Sequence, residues 1–492
     1  MQLPSAQYSR SQTTDVVRRV ALANGCGPSD NLGDWALTVA AAALVWNAWP
    51  EAEIVLVPWA RQADLRSTEE ALREALGACG RSRRPLAMDQ LISTHPSAPP
   101  FSSASAWQRA RILAWNLEHT ALGEIRLQMS RFCGSTRPWT NRSSPADAIA
   151  ASDVVVLVGG NIVCAPRDVR RLAHLYRALA PVRLAQALNI PTLIIGASYD
   201  VCDSRITRWL ALNPFRNASR ILTREPLTER RLSEVGLKNT SLVGDTAFCL
   251  TYEPKTARET SLIAVNALGL REWDADIGTG PRQYAKALAF QIDVLRQILN
   301  RFPGVRLLLI SHETSESVLQ SDVDSLRSIA AALGETDRVL LAEPNGGLGD
   351  IFQHYGACAL GIGPRYHGCV FGAMMGTPVI GLGATSQKLR GITSLLNVPF
   401  LPSEGGCSDA AIEGVDRLLR WGASERDSFA AGVASIGQEM LRTFVDAAHA
   451  TVGTPRLGAP LKRVSSRSDD RVPRVPGPAR DELAALEVGE RL

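Results

Sequence analysis

Short apolar runs recur along this chain, most of them followed by a stretch with helical periodicity, and that alternation limits the fold more than any other feature. The clearest run is Asp153-Val-Val-Val-Leu-Val-Gly-Gly-Asn161, whose five consecutive apolar residues fit a parallel strand covered on both faces. Further strands are expected at Val17–Asn24, Glu53–Pro58, Thr192–Gly196, Arg220–Thr223 and Ser241–Val243, then at Leu262–Asn266, Val305–Ile310, Arg338–Leu341 and Ala357–Ile362. Between them, helical patterns cover Trp35–Trp49, Asp168–Ala187 with a break or kink at Pro181, Ser204–Leu212, Glu225–Val235, Pro281–Asn300, Asp322–Leu333 and Gly349–Tyr355. Trp35–Trp49 is apolar nearly all round and reads as a buried helix. Strands alternating with helices predict an α/β fold of doubly wound parallel sheets.

At 492 residues the chain exceeds one ordinary core. The apolar rhythm breaks at Thr251-Tyr-Glu-Pro-Lys-Thr-Ala-Arg-Glu-Thr260, which reads as a hinge between a Rossmann-like domain over 17–255 and a second over 256–450. Residues 1–16 read as a mobile leader and 451–492 as a disordered tail with a short helix at Asp481–Val488. Residues 59–148 are the least legible. They hold helical stretches at Thr68–Ala78 and Trp107–His119, a basic knot at Arg81–Pro85 and a Ser/Pro-rich loop, and they read as an insertion on the sheet edge that covers the site.

Hydrophobic content of 45% and charged content of 21% are those of a soluble globular protein. A net charge of +4 gives no support for a nucleic-acid footprint. The longest apolar stretch, Trp35–Trp49, falls short of the roughly 18 residues that read as a membrane span. The polar N-terminus lacks the apolar core of a signal peptide, so a cytoplasmic location is expected. Nine cysteines stand singly with no CxxC pair, which suggests neither a zinc cage nor a disulfide framework. Cys369, two residues from His367, admits a Cys–His nucleophile or plain core packing, and packing is the simpler reading.

The chemistry concentrates in Gly361–Lys388. Here an apolar run ends in Arg365, His367 and Gly368, and a small-residue helix pattern follows, beginning near Gly368. Ligands of open α/β sheets bind at the carboxyl ends of strands, and helix-start amides bind anions. A fixed cation, an imidazole and such amides point to a phosphate or carboxylate ligand. His312 ends another expected strand on the same edge. Asn31-Leu32-Gly33-Asp34, between a strand and the buried helix, admits two readings: a phosphate-cradling turn, or a plain helix cap. Arg224, directly after a strand, either grips an anion bidentately or pairs with Glu225 or Asp245.

Taken in order, these landmarks resemble the polysaccharide pyruvyl transferases over about residues 17 to 400. The matching elements are Asn31–Asp34, Asp153–Asn161, Thr223-Arg224-Glu225-Pro226, Val243-Gly-Asp245-Thr-Ala-Phe248 and Ser311-His312-Glu313. The specific part is Arg365-Tyr366-His367-Gly368 with Gly376-Thr377-Pro378 and Lys388. Two departures stand out: Tyr366 replaces the family's leucine, and the loop after Gly196 lacks its Gly-Pro.

The resemblance implies a GT-B-like pair of Rossmann-like domains facing across a cleft. It also implies transfer of a pyruvyl group from phosphoenolpyruvate to two sugar hydroxyls as a cyclic ketal, in exopolysaccharide or cell-surface glycan synthesis. His367 is then the principal acid/base, with Arg365 and His312 beside it. Arg224, Gly368, Asn31, Gly33, Asp34, Gly160, Asn161, Asp245 and Lys388 would bind substrates. No metal is implied, and no cofactor besides phosphoenolpyruvate as donor. A lipid-linked acceptor would bring the enzyme to the inner membrane face, and homo-oligomerisation stays open. The alternatives are a GT-B nucleotide-sugar glycosyltransferase, with Arg365 on the diphosphate, and a non-catalytic sugar- or anion-binding homologue.

Overall fold

Buried on both faces, the short apolar runs assemble into two parallel sheets. The computed structural model describes residues 17–28, 31–58, 65–77, 86–87, 91, 105–139, 145–163, 169–199, 205–252, 256–270, 281–313, 321–334, 337–342, 347–383, 387–403 and 408–452. The leader, the basic knot at Arg81–Pro85, most of the Ser/Pro-rich loop and all but the first two residues of the tail lie outside the described residues.

The first sheet contains β1 (Arg19–Gly25), β2 (Glu53–Pro58), β3 (Leu86–Ala87), β4 (Val154–Val163), β5 (Thr192–Tyr199), β6 (Arg220–Thr223) and β7 (Thr240–Leu242), in the order β3-β2-β1-β4-β5-β6-β7. The second contains β8 (Glu259–Val265), β9 (Arg306–Leu309), β10 (Val339–Leu341), β11 (Cys358–Gly363), β12 (Val379–Gly383) and β13 (Phe400–Pro402), in the order β10-β9-β8-β11-β12-β13. Every strand pairing is parallel. Around the sheets run α1 (Leu32–Ala48), α2 (Leu65–Gly77), α3 (Ala106–Cys133), α4 (Pro145–Ala150), α5 (Val169–Ala187), α6 (Arg205–Arg216) and α7 (Pro226–Glu234). They continue with α8 (Pro281–Arg301), α9 (Asp322–Leu333), α10 (Gly347–Ala357), α11 (Tyr366–Met374), α12 (Gln387–Leu396), α13 (Ser408–Leu419) and α14 (Ala423–Val452).

In each sheet the strand order reverses beside the first strand, between β1 and β4 and between β8 and β11. Such switch points open crevices at the carboxyl ends of the strands. An asparagine braces each one. Asn24 Nδ2 donates to the Val158 carbonyl (3.3 Å), and Asn266 Oδ1 accepts from the Arg365 amide (2.9 Å).

α1 is covered all round, as its Ala/Leu/Val content predicts. One side meets β1 and β4, and α14 returns from the far end of the chain to cover another. There Trp49 meets Phe444 edge-on at 6.5 Å, and His449 Nε2 lies 3.1 Å from the Ala48 carbonyl. Trp46 is fully buried with its indole N–H on the Ala52 carbonyl (2.9 Å).

Three expectations are corrected. α5 runs unbroken through Pro181, because a proline removes one backbone bond and Leu179, Val182 and Leu184 are buried on either side of it. β5 continues past Gly196 to Tyr199, with a register shift between Ile195 and Ala197. α3 extends well beyond His119 and stops at Gly134, in the left-handed region at φ 61°.

Candidate active site

Arg365 caps α11 at the end of β11 and is buried. Its Nε donates to the Ala267 carbonyl (3.0 Å), and Nη2 pairs with the Asp322 carboxylate and lies 3.9 Å from Glu313. Asp322 also accepts from the amides of His312 and Gly269, each at 3.1 Å. Arg365 therefore ties together the ends of β8, β9 and β11. α11 begins at Tyr366, ahead of the expected start, so His367 lies in its first turn. The Gly368 amide is engaged by the Arg365 carbonyl (3.1 Å), and a Cβ at 368 would stand 2.2 Å from Asn266 Nδ2. Gly368 lets the helix approach Asn266.

His312 is fully buried, with Nε2 2.9 Å from the Tyr355 hydroxyl. The Phe371 ring is near-parallel to both His312 (5.4 Å) and His367 (5.8 Å).

The first sheet supplies the opposing groups. Arg224 leaves β6 and is buried, its Nε donating to Ser198 Oγ (2.6 Å) and to Glu225 Oε1 (3.3 Å). Its Nη1 reaches Asp245 Oδ2 at 3.5 Å. Both ion pairs considered from the sequence are thus present. The guanidinium also lies 4.1 Å above the Tyr366 ring, a cation–π contact that gives the tyrosine a structural task. Asp245 caps the turn Thr246–Cys249 through the Ala247 amide (2.9 Å).

His367 is where the two halves meet. Its Nε2 lies 4.0 Å from Asp245 Oδ2 and has no hydrogen-bond partner among the described residues. A Cβ at Gly33 would stand 2.0 Å from its Nδ1, so only glycine fits against that ring. The Asn31–Asp34 turn also touches the second sheet directly. Asn31 forms an antiparallel bridge with Glu313, and the Leu32 amide donates to the His312 carbonyl (2.9 Å). Asn31 Oδ1 caps α1 by accepting from the Gly33 amide (2.8 Å). The cap reading of this turn is therefore correct as far as it goes, and the same turn forms a wall of the site.

Burial, and next the charge of Arg224, hold the His367 imidazole well below its usual range, with His312, Lys388 and Arg365 adding to the effect. Burial and then Arg365 do the same to His312. Burial pushes the Asp245 carboxyl upward against the opposing pull of Arg224. Burial also raises the Cys369 thiol to about 12, the opposite of what a Cys–His nucleophile requires.

Asp34 is half-buried, and a Cβ on Gly160 (φ 121°) would lie 3.7 Å from its Oδ1. Asn161 follows Gly160 in β4. Lys388 is half-buried on α12. Sequence reasoning missed Asn266, Asp322, Tyr355, Ser198 and Phe371 as site-builders. For Asn266 a signal existed: both it and Asn24 end the first strand of a βα series.

A family model described as polysaccharide pyruvyl transferase matches residues 31–386. A comparison with curated proteins gave no match. Among solved structures, a UDP-N-acetylglucosamine 2-epimerase aligns with 14% identity over 88% of this chain and 95% of its own, at a TM-score of 0.50. MnaA of S. aureus, solved with UDP, aligns with 13% identity over 87% of this chain and 94% of its own, also at 0.50. The calicheamicin glycosyltransferase CalG4 aligns with 13% identity over 90% and 100%, at 0.45. The likeness lies in the fold, the two-domain GT-B arrangement.

Proposed function

The chain belongs to the polysaccharide pyruvyl transferase family, and from that premise we propose that it moves a pyruvyl group from phosphoenolpyruvate onto two hydroxyls of a saccharide acceptor as a ketal. The observation that carries this reading is the unpartnered His367 Nε2, 4.0 Å from Asp245 where the two sheets meet. Its side chain is 12% exposed, while Nε2 itself is buried.

Burial is the largest cause of the low basicity of His367, and Arg224, Lys388 and Arg365 add a positive field around the imidazole. A donor carrying a phosphate and a carboxylate would offset that field and raise the basicity of the ring. His367 would then become a competent base only once the donor is bound.

The proton balance follows. His367 takes the proton of the first acceptor hydroxyl as its oxygen attacks C2 of the enol. Asp245, whose carboxyl burial pushes upward, starts protonated in this scheme and gives its proton to the methylene carbon, which becomes the methyl group. The imidazolium returns its proton to Asp245 across the gap between them. The second hydroxyl then attacks C2 as the C–O bond to phosphate breaks, and its proton departs with the phosphate. Arg224 and Arg365 act as positioning groups. Arg224 holds Asp245 against Tyr366, and Arg365 fixes the start of α11.

The test is incubation with phosphoenolpyruvate and a panel of glycosides, reading phosphate release and the pyruvylated product by mass spectrometry. Turnover that disappears in His367→Ala supports the proposal. Thermal protection by a nucleoside diphosphate, none by phosphoenolpyruvate and no product would replace it with the glycosyltransferase reading.

A further inference from the structure

α3 turns its hydrophobic side outward. Ile112, Asn116, Leu127 and Ser130 are buried on the inner side of the helix, which packs on α5. On the outer side Trp107 is 71% exposed, Leu117 56%, Leu122 39%, Ile125 55%, Met129 49% and Phe132 93%. At about 100° per residue these fall on one broad face, along a helix about 42 Å long. A soluble monomer rarely leaves an apolar stripe of that length uncovered.

The stripe continues onto α6. Arg183 pairs with Glu124 of α3 (2.8 Å) and lies over the ring of Trp209 (5.6 Å). That contact holds Trp209, itself 52% exposed, beside the helix. Exposed arginines accompany the apolar side chains: Arg111, Arg126 and Arg131 on α3 and Arg205 on α6. The exposed acid on the outer face of α3 is Glu118.

We propose that the outer face of α3, with Trp209, docks the protein on an anionic lipid surface. Its aromatic and aliphatic side chains would enter the headgroup–acyl boundary, and its arginines would meet lipid phosphates. Tryptophan is the residue best suited to that boundary. The charges argue against a second copy as the occupant. A two-fold pairing of this face would set its exposed arginines against one another, with Glu118 as the exposed acid on each side. An anionic surface opposes none of the arginines. This inference stands independently of the pyruvyl-transfer reading.

The experiment is flotation of the full chain with vesicles of phosphatidylcholine alone and of phosphatidylcholine with phosphatidylglycerol. Binding is expected to the anionic vesicles only, weakening as salt rises. Ile125→Glu and Phe132→Glu should each reduce that binding about tenfold or more with an unchanged thermal midpoint. Binding to neither vesicle overturns the proposal, and so does equal binding by the variants. Concentration-dependent self-association that both variants abolish, without vesicle binding, would assign the face to a second copy. A lower thermal midpoint in both variants, again without vesicle binding, would show that the chain covers the stripe itself.

Discussion

Gly33 lies flat against the imidazole of His367, so the turn after β1 in one sheet and the first turn of α11 in the other share a single packing contact. A Cβ at 33 would stand 2.0 Å from Nδ1, which neither rigid partner can absorb without moving. Gly33→Ala should therefore displace the ring from Asp245. Misplacement of a catalytic group by about 1 Å costs on the order of 100-fold in rate. The expected result is a drop of that size in kcat for phosphate release, together with a destabilisation of about 1–3 kcal/mol from overpacking. Wild-type kcat in a folded Gly33→Ala protein would remove His367 from the proposed chemistry.

Tyr366 separates two contributions of an aromatic residue. Its ring carries the Arg224 guanidinium at 4.1 Å, while its hydroxyl is buried with no hydrogen-bond partner among the described residues. Tyr366→Phe keeps the ring and removes an unsatisfied polar atom, so stability should hold or rise slightly. Tyr366→Leu loses the cation–π contact and should cost about 2 kcal/mol. Urea unfolding of the two variants checks the order. A larger loss in Tyr366→Phe would mean that the hydroxyl has a partner and the ring contact is incidental.

Arg365 should reveal its bracing task in stability as well as activity. Arg365→Ala leaves the buried Asp322 carboxylate without its guanidinium, and breaking a buried pair in this way costs about 3–5 kcal/mol. Asp322→Asn in the same background removes the stranded charge and should recover part of that loss without restoring phosphate release. An Arg365→Ala protein of unchanged stability would assign the arginine to ligand binding alone.

The parallel strands were legible because burial on both faces writes them as unbroken apolar runs, and the edge carrying the candidate site stood out because Arg365, His367 and His312 lie just past such runs. The cross-sheet partnerships were not legible. Arg224 lies over Tyr366, and Asp245 opposes His367, because the two sheets face each other at those strand ends. No periodicity encodes the relative placement of two sheets. α3 hid for a related reason. Its buried side includes Asn116 and Ser130 while Phe132 faces outward, so its hydrophobic pattern does not mark which face packs.

The two site histidines set the sign of a pH effect. Both imidazoles are held well below 6.5 in the folded protein, whereas in the unfolded chain they titrate near that value. Below pH 6.5 the unfolded state therefore binds more protons, and stability must fall as the solution is acidified toward the native pKa values. Each histidine contributes at most about 1.4 kcal/mol per pH unit to that slope. Asp245 works the other way, since its raised carboxyl pKa favours the folded state at low pH, so the observed slope is the histidine contribution less that offset. His312→Gln can still donate to the Tyr355 hydroxyl but cannot titrate, and it should flatten the fall in thermal midpoint below pH 6.5. His367 adds a kinetic counterpart. If it acts as the base, kcat/KM must retain its plateau through pH 6.5 and decline only at lower pH, because the free enzyme keeps the ring neutral there. An acid limb above 6.5 would show a ring that is protonated when substrate arrives, and His367 would then serve as an imidazolium on the donor phosphate.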